Sequence, residues 1–237
     1  MKKNTDFYAH YRDWKSWDAL FVYSVDDAGY FSGELKDMAV DGADVLEIGF
    51  GSGACVAWLE ERGARICVTE INDQFCSAAR DRGYEVLPSD LHSVSADHLE
   101  RFDTIIAFDV FEHLDLDTLD SYLGACASML RSGGRLLLRF PNAQSPFGLK
   151  PQAGDPTHKS QLSLSLLSLM ILRHPFRVVR YSSAHLYLGK WMTPVWFKRL
   201  IRRAFQKVMN GIFNFIYASG IPYEPVVVIV LEKYDFE

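Results

Sequence analysis

Cysteine is scarce in this chain of 237 residues: Cys55, Cys67, Cys76 and Cys126 form no Cys-x-x-Cys pair, which excludes a disulfide scaffold or a zinc knuckle. They read as small apolar core residues in a reducing compartment. The seven histidines include no His-x-x-x-His helix pair, so the spacing predicts no metal centre. There is no Gly-x-Ser-x-Gly elbow and no Gly-Lys-Ser/Thr phosphate loop, which removes the common serine-hydrolase and P-loop readings. No apolar run approaches the roughly 20 residues that cross a bilayer. Met1-Lys2-Lys3 leads into Asn4, Thr5 and Asp6 rather than an apolar segment, so no secretory signal is expected. An excess of basic residues is also missing: a net charge of -5 argues against an overall electrostatic grip on nucleic acid. The expectation is a cytoplasmic protein.

What the chain does have is one stretch that organises the rest. Val45-Leu46-Glu47-Ile48 is an apolar run interrupted by one acid, and Gly49, Gly51 and Gly53 follow at every second position. Such a run reads as a buried strand opening into a loop whose backbone approaches a ligand, because glycine offers no Cβ to obstruct it and tolerates positive φ. A dinucleotide fingerprint wants Gly-x-Gly-x-x-Gly, and here the third glycine comes one place early, with Ala54 where the fingerprint sometimes accepts alanine. NAD stays open on spacing alone. Glu47 favours S-adenosylmethionine (SAM), which has no pyrophosphate but carries an ammonium that needs acceptors. Glu70, about 20 residues beyond the glycines at the end of the next strand, is placed to accept ribose hydroxyls of either cofactor.

The length suits one full α/β domain, residues 1–237, and two independent domains would be cramped. Residues 1–41 are dense in aromatics (Phe7, Tyr8, Tyr11, Trp14, Trp17, Phe21, Tyr23, Tyr30 and Phe31) and are expected to form short helices over the cofactor edge of the sheet. From Asp44 the pattern alternates: strands at 45–48, 65–69, 84–87, 102–108 and 135–140, with helices at 54–62, 73–82 and 115–130. This predicts a Rossmann-like, doubly wound sheet in a three-layer α/β/α sandwich, with ligands at the carboxyl ends of the strands. Residues 142–159 form a loop punctuated by Pro146, Gly148, Pro151, Gly154 and Pro156 and are expected to belong to the active site. A helix over 161–172, a strand over 177–188 and a last strand over 226–232 follow.

Between those last strands, 191–221 contain a basic amphipathic helix. Phe197, Leu200, Ile201, Ala204, Phe205, Val208, Ile212 and Phe215 recur at helical steps beside Lys198, Arg199, Arg202, Arg203 and Lys207. Two readings stand. Residues 194–216 lie on the anionic inner face of a membrane, or the helix packs on its own domain or on a second copy in a homo-oligomer.

The glycine loop with Glu47 resembles motif I of the class I SAM-dependent methyltransferases, Glu/Asp-x-Gly-x-Gly-x-Gly. Phe108-Asp109-Val110-Phe111-Glu112-His113-Leu114 is similar to the Asp-x-x-Glu-His-Leu signature that a set of these enzymes carries after the fourth strand. Ser132-Gly133-Gly134 and Phe140-Pro141-Asn142 extend the likeness. Arg139 to Asn142, Ser145 to Gly148 and Gly154-Asp155-Pro156-Thr157-His158 resemble bacterial methyltransferases of surface-polysaccharide pathways. The resemblance implies a mostly parallel sheet with an antiparallel last strand, and SAM as cofactor with S-adenosylhomocysteine as product. It also implies cofactor contacts from Glu47, Gly49, Gly51, Gly53, Glu70, Asp90 and Asp109, where Asp90 would read the adenine amino group or simply cap a turn. The acceptor would be a hydroxyl of a sugar, glycan or other small molecule, with no nucleic acid involved.

An alcohol acceptor must lose its proton, and a base with pKa near the working pH is useful there. His158 and His113 are the candidate bases, with His158, in the loop on the acceptor edge, favoured and His113 also readable as structural. Asp109, at the methyl-bearing end of SAM, orients cofactor or acceptor. Metal-assisted transfer to a catechol would draw on Asp109 and Asn142. Two further readings stay open: an NAD-dependent oxidoreductase, and a non-catalytic SAM-fold protein acting as a partner through the basic helix.

Overall fold

The computed structural model describes residues 19–217 and 220–235; Phe7, Tyr8, Tyr11, Trp14 and Trp17 lie outside them. Strand β1, Asp44–Ile48, is buried on both faces, as a central parallel strand must be, and its side chains alternate between two cores. Val45 packs with Trp58, Phe31 and Ile106 on one face, and Leu46 with Ile105, Leu123 and Leu138 on the other. β1 pairs in parallel with β2 (Arg65–Thr69) and β4 (Phe102–Phe108), and β2 with β3 (Glu85–Leu87). β5 (Leu130–Pro141) runs parallel to β4. β7 (Val226–Lys233) enters antiparallel between β5 and β6 (Phe176–Ser183), giving the order β3-β2-β1-β4-β5-β7-β6. The expected Rossmann-like sheet with its antiparallel last strand is present.

Helices close both faces, and their starts are written in capping residues. α1 (Val25–Glu34) begins with a capping box in which Ser24 and Asp27 exchange hydrogen bonds. α2 (Ala54–Glu60) follows the glycine loop directly. α3 (Asp73–Asp81) is capped by Asn72, the single-turn α4 (Leu91–Val94) follows Asp90, and α5 (Leu116–Met129) is capped by Asp115. The predicted loop at 142–159 holds two short helical pieces, Pro146–Gly148 and α6 (Leu149–Gly154). α7 (Leu164–Met170) comes after it. The strand expected over 177–188 stops at Ser183, and the last bond to β7 comes one residue later, from the amide of Ala184 to the carbonyl of Val226, where β7 itself begins.

The amphipathic helix exists as α8, Pro194–Tyr217, but its orientation differs from a helix packed by its apolar face. Its polar residues meet the domain: Arg199 pairs with Asp26, Asn210 bonds Glu224 and the amide of Tyr223, and Asn214 bonds both ends of Ile221. Ile201, Phe205, Val208 and Ile212 lie on the opposite side and are exposed, and no residue of the helix is buried.

Candidate active site

β1 delivers Glu47 to the floor of a cavity of about 540 Å³ at the carboxyl ends of β1, β2 and β4. Beyond the strand, Gly49, Gly51 and Gly53 all have positive φ, at 67°, 56° and 73°, where an L side chain is strained. Gly49 is needed twice over, since a Cβ there would stand 2.6 Å from a methyl of Val110. The loop is also tied across the sheet, with the amide of Gly49 donating to the carbonyl of Thr69.

Two carboxylates bracket this loop. Glu47 is 3 % exposed, and burial pushes its pKa up to about 8 despite a hydrogen bond with Cys55 that works the other way. Its Oε2 has no partner among the described residues, an orphan that a cationic ligand group would satisfy. Glu70 accepts from the amides of Gly51, Ile71 and Asn72 at 3.1, 2.7 and 3.1 Å, which fixes its carboxylate at the mouth of the glycine loop. Desolvation raises its pKa, and those three amides moderate the rise. Asp90 is exposed at the start of α4, and it is its neighbour Ser89 that lines the cavity.

The other end of the cavity is built after β4. Asp109 sits at φ 57°, an unusual conformation for a non-glycine residue, and its side chain is 3.3 Å from the Arg139 guanidinium. Tyr30, Phe31 and Phe108 form an aromatic wall beside them. Tyr30 and Phe31 come from α1. Arg139 and Lys159 also line the cavity. Neither stood out in the sequence, although the Arg139-Phe140-Pro141-Asn142 motif was the available signal.

The two candidate histidines are placed differently with respect to the cavity. His113, not His158, lines the cavity. His158 lies behind it, 7 % exposed at its side chain, with the rings edge to face at 4.7 Å. The loop is pinned there because the amides of Lys159 and Ser160 both donate to the carbonyl of Glu112. Desolvation, together with His158, lowers the pKa of His113 and so favours its neutral ring. Glu112 is fully buried with neither carboxyl oxygen partnered among the described residues. Burial and the nearby Asp109 raise its pKa well above the usual range. Ligand atoms of Glu112, His113 and His158 all lie within 4.8 Å of one another, which makes them the residues that could hold a cation. Asn142, the amide that a metal-assisted reading would use, points elsewhere: it is fully buried and donates to the carbonyls of Pro222 and Glu224.

Comparison with known proteins agrees with this geometry. Residues 46–136 match a family model described as a methyltransferase domain. A ubiquinone biosynthesis O-methyltransferase of Xanthomonas euvesicatoria pv. vesicatoria is 28 % identical over 103 residues, 41 % of this chain and 42 % of that protein. The matched stretch thus spans about two fifths of that relative's length. A SAM-dependent methyltransferase from Archaeoglobus fulgidus superposes with a TM-score of 0.67 at 20 % identity, covering 96 % of this chain and all of the other. The 1,6-didemethyltoxoflavin-N1-methyltransferase of Burkholderia thailandensis, solved with 1,6-didemethyltoxoflavin and S-adenosylhomocysteine bound, does so at 0.58 and 16 %, covering 98 % of this chain and 87 % of its own. At these identities the structural likeness establishes a common fold.

Proposed function

We propose that this chain is a class I SAM-dependent methyltransferase, a reading supported by its fold and by the match of residues 46–136 to a methyltransferase domain, and that it transfers a methyl group to a hydroxyl of a sugar or other small molecule. The observation that carries the reading is the pair Glu47 and Glu70 on either side of a loop of three left-handed glycines, opening into a cavity that continues to Asp109 and His113. In this reading Glu47 takes the cofactor's ammonium and Glu70 its ribose hydroxyls. Gly49, Gly51 and Gly53 keep side chains out of the cofactor's way. Asp109 stands at the acceptor end.

SAM supplies an activated methyl on a sulfonium, so the chain's task is to align the acceptor oxygen with the sulfur–methyl bond and exclude water. Tyr30, Phe31 and Phe108 give an apolar face for a ring to lie on. The acceptor's proton must go to a group at that end, and His113 is the imidazole the cavity reaches, in place of His158. A glycan acceptor in surface-polysaccharide synthesis remains part of the proposal on the strength of the motifs around Arg139 to His158.

The test is a thermal-shift comparison of S-adenosylhomocysteine with NADH, followed by transfer of a labelled methyl from SAM to a panel of nucleotide sugars, free sugars and phenols. Stabilisation by the homocysteine ligand alone, with label on one acceptor oxygen, supports the reading. Stabilisation by NADH alone defeats it.

A further inference from the structure

The Glu112, His113 and His158 cluster is arranged in a way that proton transfer alone does not explain. The hydroxyl of Thr157 donates to the carboxylate of Asp155 at 2.5 Å, so its oxygen accepts from Nδ1–H of His113 at 2.9 Å. Nδ1 of His158 meets the carbonyl of Gln152 at 3.0 Å, and a carbonyl can only accept. The Nε2 of His158 is then a lone pair when the ring is neutral. It faces the carboxylates of Glu112 at 3.9 Å and Asp155 at 4.0 Å. Two acceptors and a lone pair facing one another repel unless a proton or a cation lies among them, and at 3.9 and 4.0 Å the gaps are wider than a proton-sharing hydrogen bond. The buried, unpartnered carboxylate of Glu112 makes the same demand.

We propose that Glu112, His113 and His158 bind a divalent first-row transition metal, such as Mn²⁺ or Zn²⁺, at the acceptor end of the cavity. Metal-bound imidazoles commonly donate their other N–H to an oxygen partner that fixes the tautomer, as Thr157 and Gln152 do here. Bonds of about 2.0–2.2 Å put the ligand atoms of one ion roughly 3–4 Å apart, so a cluster spanning 4.8 Å needs only a small contraction. Two imidazoles and a carboxylate select such a metal over calcium.

The inference deepens the proposed methyl transfer and rests on it for its purpose. A hydroxyl bound to the cation becomes acidic enough to release its proton to water. Its oxygen then bonds to the methyl carbon as the sulfur–carbon bond breaks, and the electron pair stays on sulfur as a neutral thioether. With the cation in place His113 would hold the metal, and water would take the proton that its ring would accept in a metal-free site.

The test needs no acceptor. Chelator-stripped protein is titrated with MnCl₂ alone, following loss of the free-ion electron paramagnetic resonance signal, and separately with ZnCl₂ using elemental analysis after desalting. One equivalent per chain is expected, with affinity reduced at least tenfold in Glu112→Gln and His158→Ala. S-adenosylhomocysteine binding in the same preparations reports the fold. Intact S-adenosylhomocysteine binding with no stoichiometric metal overturns the metal site alone and leaves a shared proton between Glu112 and His158. Metal binding without S-adenosylhomocysteine binding would instead count against the transferase.

A second inference rests on α8. Among 190–217 there are six cations and no acidic residue, in a chain whose net charge is -5. Ile201, Phe205, Val208 and Ile212 form an outward apolar stripe on a helix about 36 Å long, with Trp191 and Met192 exposed beside its start. On the helix circumference Lys198 and Arg202 flank one side of the stripe and Lys207 the other. We infer that α8 lies on an anionic lipid surface, with the stripe among the acyl chains and the cations at the headgroups. A pairing of two such stripes would set cation against cation along both edges.

Sedimentation with phosphatidylcholine vesicles, with and without 30 % phosphatidylglycerol, tests it. Binding is expected only to the anionic vesicles, falling at least tenfold in 0.5 M NaCl and in Phe205→Glu/Ile212→Glu. No binding at low salt overturns the inference. So does a concentration-dependent dimer that the same double substitution abolishes, which would make the stripe a subunit contact.

Discussion

Glu47 is the residue where a pH measurement speaks most directly to the cofactor. With the cavity empty its pKa stands at about 8, so at pH 7 the carboxyl is mostly protonated. A bound ammonium favours the ionised form, so binding must release that proton. Each pH unit below 8 weakens binding about tenfold, or about 1.4 kcal/mol. Affinity for S-adenosylhomocysteine is therefore expected to rise about tenfold from pH 6 to pH 7. It should level off above pH 8, once Glu47 is already ionised in the free protein, and fall only at the higher pH where the ligand's own α-ammonium loses its charge. Titration calorimetry at pH 7 in two buffers of different ionisation enthalpy should show release of close to one proton. Glu47→Gln keeps the shape and loses the charge: the rise from pH 6 to pH 7 should vanish and affinity at pH 7.5 should fall about tenfold. An unchanged pH slope in the variant, or no proton release in the native chain, would refute the assignment. The ligand-free protein should show the opposite trend in stability. The folded pKa of Glu47 lies above the unfolded value of about 4.5, so the folded state holds the proton more tightly between pH 4.5 and 8. Stability falls as pH rises through that window, and Glu47→Gln should flatten the fall.

Three other outcomes follow. His113→Ala should lower turnover by about 10²–10⁴ while S-adenosylhomocysteine affinity changes less than twofold, measured by methyl-transfer kinetics and calorimetry. Gly49→Ala forces a side chain into left-handed backbone and against Val110, and should cost about 2 kcal/mol or more, lowering the melting temperature by several degrees in a calorimetric scan. Hydrogen bonds from Arg65 and Arg131 hold Asp44 at a pKa of about 2, so its stabilisation is present above pH 4 and is lost as pH falls toward 2; Asp44→Asn should make acid unfolding shallower there, followed by circular dichroism.

The fold was legible because its signals are local. The β1 run, the three glycines and Glu70 lie within 26 residues, and parallel strands buried on both faces show themselves as continuous apolar runs. Which of His113 and His158 reaches the cavity was not legible, because it depends on how the loop after β5 crosses the turn after β4. The two backbone bonds to the Glu112 carbonyl that fix this crossing leave no mark in side-chain spacing. Glu112 looked like part of a signature and proved to be a fully buried carboxylate. For α8 the periodicity gave the stripe but could not say which side meets the domain; Asn210 and Asn214 decide that through Glu224, Tyr223 and Ile221.

The placement of β7 bears on how the polypeptide matures on the ribosome. Strands β1 to β5 carry the cofactor loop and can assemble as they emerge, but β5 then presents an open apolar edge, with Leu136 and Leu138 awaiting Leu231 and Ile229. β6 is made next and has no neighbour among the described residues except β7. The nascent sheet therefore stays sticky until Val226–Lys233 is translated and slots between them. A premature stop before Val226 should leave a product that precipitates or engages chaperones, although every residue assigned to the cofactor is already in it.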